Sequence, residues 1–293
     1  MSKIKFYIFL FCFVTFKLVA QKKDFRVYDA MMFVDKPILY DIGLSKINLI
    51  YEDSLLSYNP KFPKIANERI LNEKKLKRTF ALIEEKYPIC LDIESWTLDR
   101  GNMKKSIPKY VNVLKRFNTK YAKSNIGLYG VIPYADLNLY MNKVTYLKDN
   151  SRNWMQDWVF INNNIGTLAK NGSVFFPSCY TRFKDKKLWL SIFLAQIEQI
   201  KKIDPNQKIY AFIWPQYYSP GMWYNEQLVE KNFWEFQLET AYRYCDGVVI
   251  WSPPFKSIDR KPNYWIINAD WWLVTKEFII RKNIKSNFYE NTK

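Results

Sequence analysis

Seven short runs of apolar, β-branched or aromatic residues recur along the chain and alternate with stretches of helical character. The runs cover residues 25–33, 47–51, 89–96, 126–133, 173–180, 208–214 and 247–251. Strands that alternate with helices are typical of βαβ units, whose strands are parallel. Continuous apolar runs such as 247–251 are typical of a sheet buried on both faces. The pattern predicts an α/β fold, a TIM-like (β/α) barrel of about seven or eight parallel strands, with an open doubly wound sheet as the alternative.

Amphipathic spacing predicts helices between these runs. Apolar residues recur at helical intervals over residues 65–86, 107–122, 187–203 and 226–244. Pro108 would lie in the first turn of the second helix, where proline is tolerated. No linker or internal repeat divides the chain, so one domain is expected.

The amino-terminal segment has the features of a secretory signal. Lys3 and Lys5 precede an apolar run over residues 6–16, and Ala20 offers a cleavage site. We interpret residues 1–20 as a signal peptide, 21–285 as the barrel domain and 286–293 as a polar tail. An uncleaved membrane anchor is the alternative, but the apolar run is too short to span a bilayer comfortably. The mature protein is expected to be secreted or periplasmic, without a transmembrane span.

The composition excludes several kinds of chemistry. The chain has no histidine, which excludes Ser-His-Asp and Cys-His triads and His-ligated zinc or iron sites. Its eight glycines form neither a phosphate-binding loop nor a dinucleotide fingerprint, and no CxxC motif occurs. We expect no cofactor and no metal, so acid–base work must fall to Asp, Glu, Tyr, Lys or Cys.

The chain carries a formal net charge of +17. This charge favours a polyanionic partner, either an acidic polysaccharide or an anionic surface, and nucleic acid is not expected outside the cell. Ordinary solubility is the alternative explanation.

Two acids one residue apart, Asp92 and Glu94, follow the third apolar run. Alternate residues of a strand point to the same face, so the two carboxylates should emerge side by side, with Cα atoms roughly 7 Å apart. At the carboxyl end of a barrel strand, such a pair suits acid–base chemistry on sugars. The alternative is that both acids cap the next helix or pair with nearby Lys and Arg side chains.

Aromatic residues follow most of the other runs. At or just after the ends of five runs stand Trp96, Tyr134, Tyr180, Trp214 and Trp251. Carboxylates surrounded by aromatic rings are typical of a carbohydrate cleft. No glutamate ends the fourth run and none ends the seventh, where many retaining glycosidases carry their acid and nucleophile. Both acids on one strand instead suit a substrate-assisted route, outside the usual two-carboxylate scheme.

Four segments in the same order resemble the animal and venom hyaluronidases. The sequence L-D-I-E-S-W at 91–96 resembles that family's D-x-E-x-W motif, and G-L-Y-G at 127–130 resembles its G-Y-Y-G segment. F-F-P-S-C-Y at 175–180 is similar to F-P-S-x-Y, and G-V-V-I-W at 247–251 is similar to G-x-V-I-W. The resemblance covers roughly residues 25–255 and implies a distorted barrel of about seven strands.

The resemblance also implies roles for individual residues. Glu94 would be the general acid/base, while Asp92 and Tyr180 would hold the acetamido group of the substrate, whose carbonyl oxygen is the nucleophile. Trp251 would form the pocket wall, and Tyr134 or Tyr129 would supply another hydroxyl. Trp96 and Trp214 complete the expected substrate-binding set. The chain departs from the family at Thr97-Leu98, where the family has Arg-Pro, so contacts to an acidic sugar are in doubt there.

Three functions therefore compete. The first is an exported glycoside hydrolase that cleaves an N-acetylhexosamine-containing polysaccharide, which the charge of the protein suggests is anionic. The second is a catalytically inactive carbohydrate-binding or surface protein on the same barrel. The third is a lyase or a glycosidase with another carboxylate pair, which would recruit Asp136 or Asp29.

Overall fold

The computed structural model describes residues 24–134, 154–219, 221–222 and 224–290. The predicted signal peptide 1–20 and Asp136 lie outside the described residues. The strands are β1 (Arg26–Met31), β2 (Ser45–Lys46), β3 (Asn48–Tyr51), β4 (Leu56–Ser57), β5 (Ile70–Leu71), β6 (Ile89–Asp92), β7 (Ile126–Leu128), β8 (Val174–Phe175), β9 (Lys208–Ile213) and β10 (Gly247–Ser252). The α-helices are α1 (Glu73–Phe80), α2 (Met103–Lys120), α3 (Trp154–Asn164), α4 (Gly166–Ala169), α5 (Lys186–Ile203), α6 (Lys231–Tyr244) and α7 (Asp270–Lys282).

Parallel pairing connects the seven predicted runs in sequence order and returns to the first. β1 pairs with β2, and only Ile47 separates β2 from β3, which pairs with β6. β6 pairs with β7, and a parallel bridge between Tyr129 and Phe176 joins the end of β7 to the end of β8. β8, β9, β10 and β1 then pair in that order. This order confirms the predicted barrel and does not fit a doubly wound sheet, in which the strand order reverses.

The predicted helix over residues 65–86 is wrong at both ends. A 3₁₀ turn (Ala66–Glu68) and β5, which pairs antiparallel with β4, occupy its first part. The helix α1 begins only after Asn72, whose side chain accepts a hydrogen bond from the Lys75 backbone N–H at 3.1 Å. This N-cap ends the extended segment and satisfies a free N–H group of the first turn.

The other helix boundaries differ by smaller shifts. α2 begins at Met103, so Pro108 lies inside the helix rather than in its first turn. α6 begins at Lys231, not at residue 226, because Glu226 has a φ of 61°, which interrupts a right-handed helix. α5 begins within one residue of the prediction, and the Asp185 side chain caps it by accepting from the Lys187 and Leu188 N–H groups. Asn287, in the predicted tail, exchanges two hydrogen bonds with the Lys46 backbone.

Strand residues divide between two apolar clusters, as the alternation of a strand requires. Val248 and Ile250 of β10 belong to the larger cluster with the helices, whereas Val249 belongs to a smaller one. We assign the smaller cluster, which is rich in aromatic rings, to the barrel interior. Cys90 lies in it, and the described cysteines 90, 179 and 245 are buried free thiols. A filled interior places any ligand site above the strand ends.

Candidate active site

Asp92 and Glu94 stand where β6 leaves the barrel. Asp92 is the last residue of the strand, and Ile93 between the two acids is buried and belongs to the larger apolar cluster. The Ile93 carbonyl accepts a hydrogen bond from the Tyr110 hydroxyl of α2 at 2.8 Å. The Oδ1 atom of Asp92 is buried and has no hydrogen-bond partner within the described part of the chain. The strand and α2 thus hold both carboxyl groups at one end of the barrel.

The surroundings of both acids favour their protonated forms. Burial, together with the negative charges of Glu94 and Glu52, raises the pKa of Asp92 to about 8. Glu94 reaches solvent, yet the protein packed around its carboxyl and the charge of Glu52 raise its pKa as well. The pair can therefore keep a proton near neutral pH, as a general acid requires.

Glu52 fixes the backbone that carries Glu94. It begins the 3₁₀ helix that follows β3, and its Oε2 accepts from the N–H groups of Glu94 at 3.1 Å and Ser95 at 2.9 Å. Its Oε1 accepts from the Arg69 guanidinium at 2.5 Å. Sequence reasoning missed Glu52, although its position directly after the second apolar run was a usable signal.

A pocket of about 260 Å³ opens beside Glu94. Its lining side chains with polar groups come from the ends of several strands and from α2: Glu94, Trp96, Thr97, Tyr110, Tyr129, Tyr134, Ser178, Arg182 and Tyr218. The Tyr129 and Ser178 hydroxyls lie 3.0 Å apart, and the Arg182 guanidinium lies 4.6 Å above the ring centroid of Tyr218. Tyr129 and Tyr134 are thus placed beside the predicted acid. Ser178, Arg182 and Tyr218 were not predicted, although each follows a strand.

Three of the predicted aromatic residues lie in mutual contact. Tyr180 and Trp251 stack with ring centroids 5.7 Å apart and planes 23° apart. Trp214 packs edge-on against both rings, at 5.7 Å from Tyr180 and 5.1 Å from Trp251. The Trp251 Nε1–H donates to the Tyr51 hydroxyl at 2.9 Å, which joins the ends of β10 and β3. Trp251 is half-buried, whereas Tyr180 and Trp214 are buried behind it.

The indole N–H groups of Trp96 and Trp214 are hydrogen-bonded to other groups of the protein. The Nε1–H of Trp96 donates to the Arg69 carbonyl at 2.9 Å, and its ring packs edge-on against Tyr110. The Nε1–H of Trp214 donates to Oε1 of Gln216 at 3.0 Å. Both side chains are at most 3% exposed. Trp96 nevertheless lines the pocket beside Glu94, whereas Trp214 is not among the lining residues. Their contact with substrate stays a prediction.

Asp29, the alternative acid on β1, has a partner of its own. It forms an ion pair with Lys36 at 2.5 Å and accepts from the Met31 N–H at 3.1 Å. Such pairing gives Asp29 a structural role, and Glu94 is the acid that lines the pocket. Among the residues that the structure covers, no group of three or more Cys, Asp and Glu side chains is arranged to hold a metal ion, and no helix is long and apolar enough to cross a membrane.

The ring of seven parallel strands, with paired acids after the third, is a hyaluronidase-like barrel. The structure is similar to that of bee venom hyaluronidase, with a TM-score of 0.59 and 14% sequence identity over 88% of this chain and 97% of that chain. A second crystal structure, of bee venom hyaluronidase in complex with a hyaluronic acid tetramer, gives a TM-score of 0.57 and 15% identity over 87% of this chain and 96% of that one. No protein-family model and no curated protein matches the sequence. The resemblance inferred from four short motifs is confirmed at the level of the fold.

Proposed function

We propose that this protein is an exported glycoside hydrolase that cleaves an N-acetylhexosamine-containing polysaccharide, with Glu94 as the general acid/base. The observation that carries the proposal is the pair Asp92 and Glu94 at the end of β6, both with raised pKa values, of which Glu94 lines a polar and aromatic pocket. The hyaluronidase-like fold and the hyaluronic acid tetramer bound to the similar bee venom protein support it.

In the proposed reaction the nucleophile belongs to the substrate. Glu94 donates its proton to the glycosidic oxygen as the bond to C1 breaks, while the acetamido carbonyl oxygen bonds to C1 from the opposite face. The resulting oxazolinium ion is opened by water, whose proton returns to Glu94, so the anomeric configuration is retained.

Asp92 would orient the acetamido group. The buried Oδ1, which has no hydrogen-bond partner among the described residues, can accept a hydrogen bond from the acetamido N–H. Before the reaction the single proton of the pair lies on Glu94, so Asp92 is a carboxylate that the positive charge of the oxazolinium ion then stabilises. Glu94, having given its proton to the glycosidic oxygen, is free to accept the proton of water. The stacked rings of Tyr180 and Trp251 would form the wall against the sugar.

Arg182 supplies a cation to the same pocket. It lines the pocket together with Thr97, which stands where the hyaluronidase motif has an arginine. Its guanidinium lies over the Tyr218 ring, and the net charge of the whole chain is +17. Both features support a polymer that carries carboxylate or sulfate groups.

Release of reducing ends from hyaluronan, chondroitin and chitin oligomers tests the proposal. We expect Glu94→Gln to lower kcat by about 10³-fold, because general acid catalysis is typically worth 10²–10⁴-fold. Glu85→Gln is the matched control, since Glu85 is exposed and precedes β6 at the opposite end of the strand. Full activity of Glu94→Gln on a polymer that the wild type cleaves would refute the assignment.

The second candidate, a catalytically inactive carbohydrate-binding or surface protein, is favoured by the loss of Arg-Pro at Thr97-Leu98. It predicts that the wild type and Glu94→Gln bind the same polymer with equal affinity and that neither releases reducing ends. Export is tested separately, by sequencing the amino terminus of the protein recovered outside the cytoplasm. A mature chain that begins at Gln21 is the expected result.

A further inference from the structure

The loop between β10 and α7 exposes an unusual number of large apolar side chains. Phe255, Ile258, Tyr264, Ile266 and Ile267 are each more than half exposed, from 52% for Phe255 to 69% for Ile258. The same loop carries three exposed cations, Lys256, Arg260 and Lys261, and one exposed acid, Asp259, which forms an ion pair with Lys261 at 3.2 Å. A cluster of exposed apolar side chains with cations among them marks an interaction surface. We call residues 255–267 the β10–α7 loop.

The loop is held firmly at its base. Phe255 and Pro262 form an antiparallel bridge, and the Lys256 N–H donates to the Lys261 carbonyl at 2.9 Å. The Trp265 N–H donates to the Val34 carbonyl at 2.9 Å, which ties the loop to the segment after β1. A fixed base means that the apolar side chains are presented to solvent by the fold itself.

A buried carboxylate adds a further anchor. Oε1 of Glu226 accepts from the Ser257 N–H at 2.7 Å and also from the Ser257 hydroxyl. Glu226 itself is held through Gln216, whose Nε2–H donates to the Glu226 carbonyl at 2.8 Å. The loop following β9 therefore supports the loop following β10.

The chemistry of the loop distinguishes among its possible partners. Isoleucine has no planar face to stack on a sugar ring, so three isoleucines out of five apolar residues do not fit a polysaccharide. A second copy of the chain would bring two strongly positive molecules and two sets of loop cations together, which charge repulsion opposes. An anionic bilayer satisfies both features, since apolar tips enter the interface while Lys and Arg contact the lipid headgroups.

We propose that the β10–α7 loop binds the surface of an anionic lipid bilayer. Phe255, Ile258, Ile266 and Ile267 enter the headgroup region, and Lys256, Arg260 and Lys261 contact anionic headgroups. Because the loop begins at the carboxyl end of β10, binding holds the strand end that carries Trp251 close to the bilayer. The inference goes beyond the proposed hydrolase activity and does not depend on it.

Co-sedimentation with vesicles tests the inference. The mature protein is mixed with phosphatidylcholine vesicles, with or without about 30 mol% phosphatidylglycerol, and the bound fraction is measured. We expect at least about tenfold stronger partitioning into the anionic vesicles. Replacing the three loop cations together with Gln should weaken that partitioning about a hundredfold, and Ile258→Ser with Ile267→Ser should weaken it about tenfold or more.

Leu82→Ser with Ile280→Ser is the matched control, because both residues are even more exposed and lie outside the loop. This variant should bind anionic vesicles as the wild type does. Equal binding to both kinds of vesicle, or an equal loss in the control, would overturn the inference. So would a loop variant that binds vesicles normally but loses affinity for a polysaccharide or separates into monomers on size exclusion.

Discussion

Burial and a third acid, Glu52, together raise the pKa values of Glu94 and Asp92. Glu52 accepts hydrogen bonds from the Glu94 and Ser95 backbone, and its charge raises the pKa of both catalytic candidates. It thus positions the acid and helps to keep it protonated. Burial remains the largest cause of both shifts.

Glu52→Gln should make the acid easier to ionise. Removing the negative charge lowers the pKa values of Asp92 and Glu94, so the protonated form is lost at a lower pH. We expect the alkaline limb of the kcat/KM profile to move down by about half to one pH unit, the size expected for one partly screened charge. A pH–rate profile measures this. An alkaline limb that stays in place would show that Glu52 acts only as a backbone anchor.

Asp92→Asn should stabilise the protein at high pH. The pKa of Asp92 is about 8 in the folded protein against 3.8 for the free side chain, so the folded state keeps a proton that the unfolded state loses. Its contribution to stability therefore falls as pH rises from about 4 to about 8. The whole shift corresponds to about 6 kcal/mol, which partial exposure reduces to about 3 kcal/mol.

We expect Asp92→Asn to raise the free energy of unfolding by that amount at pH 9 and to leave it nearly unchanged at pH 4. Thermal unfolding at the two pH values measures the difference. Asp99→Asn is a control for which the opposite change in stability is expected. Burial acts to raise the pKa of Asp99, but hydrogen bonds from Asn102 and Thr97 outweigh burial and lower it. That variant should lose stability at pH 9.

At the scale of elements, β7 and β8 approach so closely that only glycine fits between them. A Cβ atom on Gly127 would lie 2.1 Å from the Val174 carbonyl oxygen and 3.0 Å from the Phe176 ring. Backbone hydrogen bonds from Ser173 to Ile126 and from Gly130 to Phe176 flank this contact. Because residue 127 is glycine, β7 can lie between β6 and β8, and this arrangement places Tyr129 beside Ser178.

Gly127→Ala should be strongly destabilising. The new methyl group must displace the backbone of β8, and overpacking of this kind costs about 3 kcal/mol. Gly166→Ala is the control, since a Cβ there meets nothing within 4 Å and alanine suits the helix α4. Urea unfolding of both variants measures the difference. Equal stability of the two would mean that β7 and β8 move apart at little cost.

At the scale of the whole molecule, the main feature is an excess of Lys and Arg over Asp and Glu. The chain has 45 basic and 28 acidic residues, and the basic ones are spread along it. Fifteen ion pairs between described residues involve mostly exposed partners, which contribute little to stability. These ion pairs therefore do not account for the excess of basic residues, and a polyanionic partner stays a prediction.

Salt should weaken the action of the protein on an anionic polymer. Between about 0.02 M and 0.2 M NaCl the Debye length falls about threefold, which screens long-range attraction. We expect KM for hyaluronan or chondroitin to rise about tenfold over this range, and KM for neutral chitin oligomers to change less than about twofold. Steady-state kinetics at both salt concentrations measure this. An equal rise in KM for the charged and the neutral polymer would show that charge attraction does not contribute to substrate binding.

Much of the site was visible in the sequence because the relevant signals are local. The alternation of Asp92 and Glu94 after an apolar run depends only on neighbouring residues, and so do the aromatic residues at strand ends. The apolar runs likewise predicted seven strands in their observed order. Helix boundaries were less visible, because the N-cap at Asn72 and the positive φ of Glu226 depend on what packs around them.

By itself, the sequence determined the (β/α) barrel and the strand on which the acids lie, which follow from periodicity along the chain, while the likeness to the hyaluronidases rested on four short motifs. Only the tertiary structure decided that Glu52 would hold Glu94 from 42 residues away and that Trp251 would bond to Tyr51 from 200 residues away. It also decided that Trp96 and Trp214 would be almost fully buried, with their indole N–H groups bonded to Arg69 and Gln216. The physical reason is that closing a ring of strands brings distant strand ends together, and which side chains then meet depends on packing that no local pattern records.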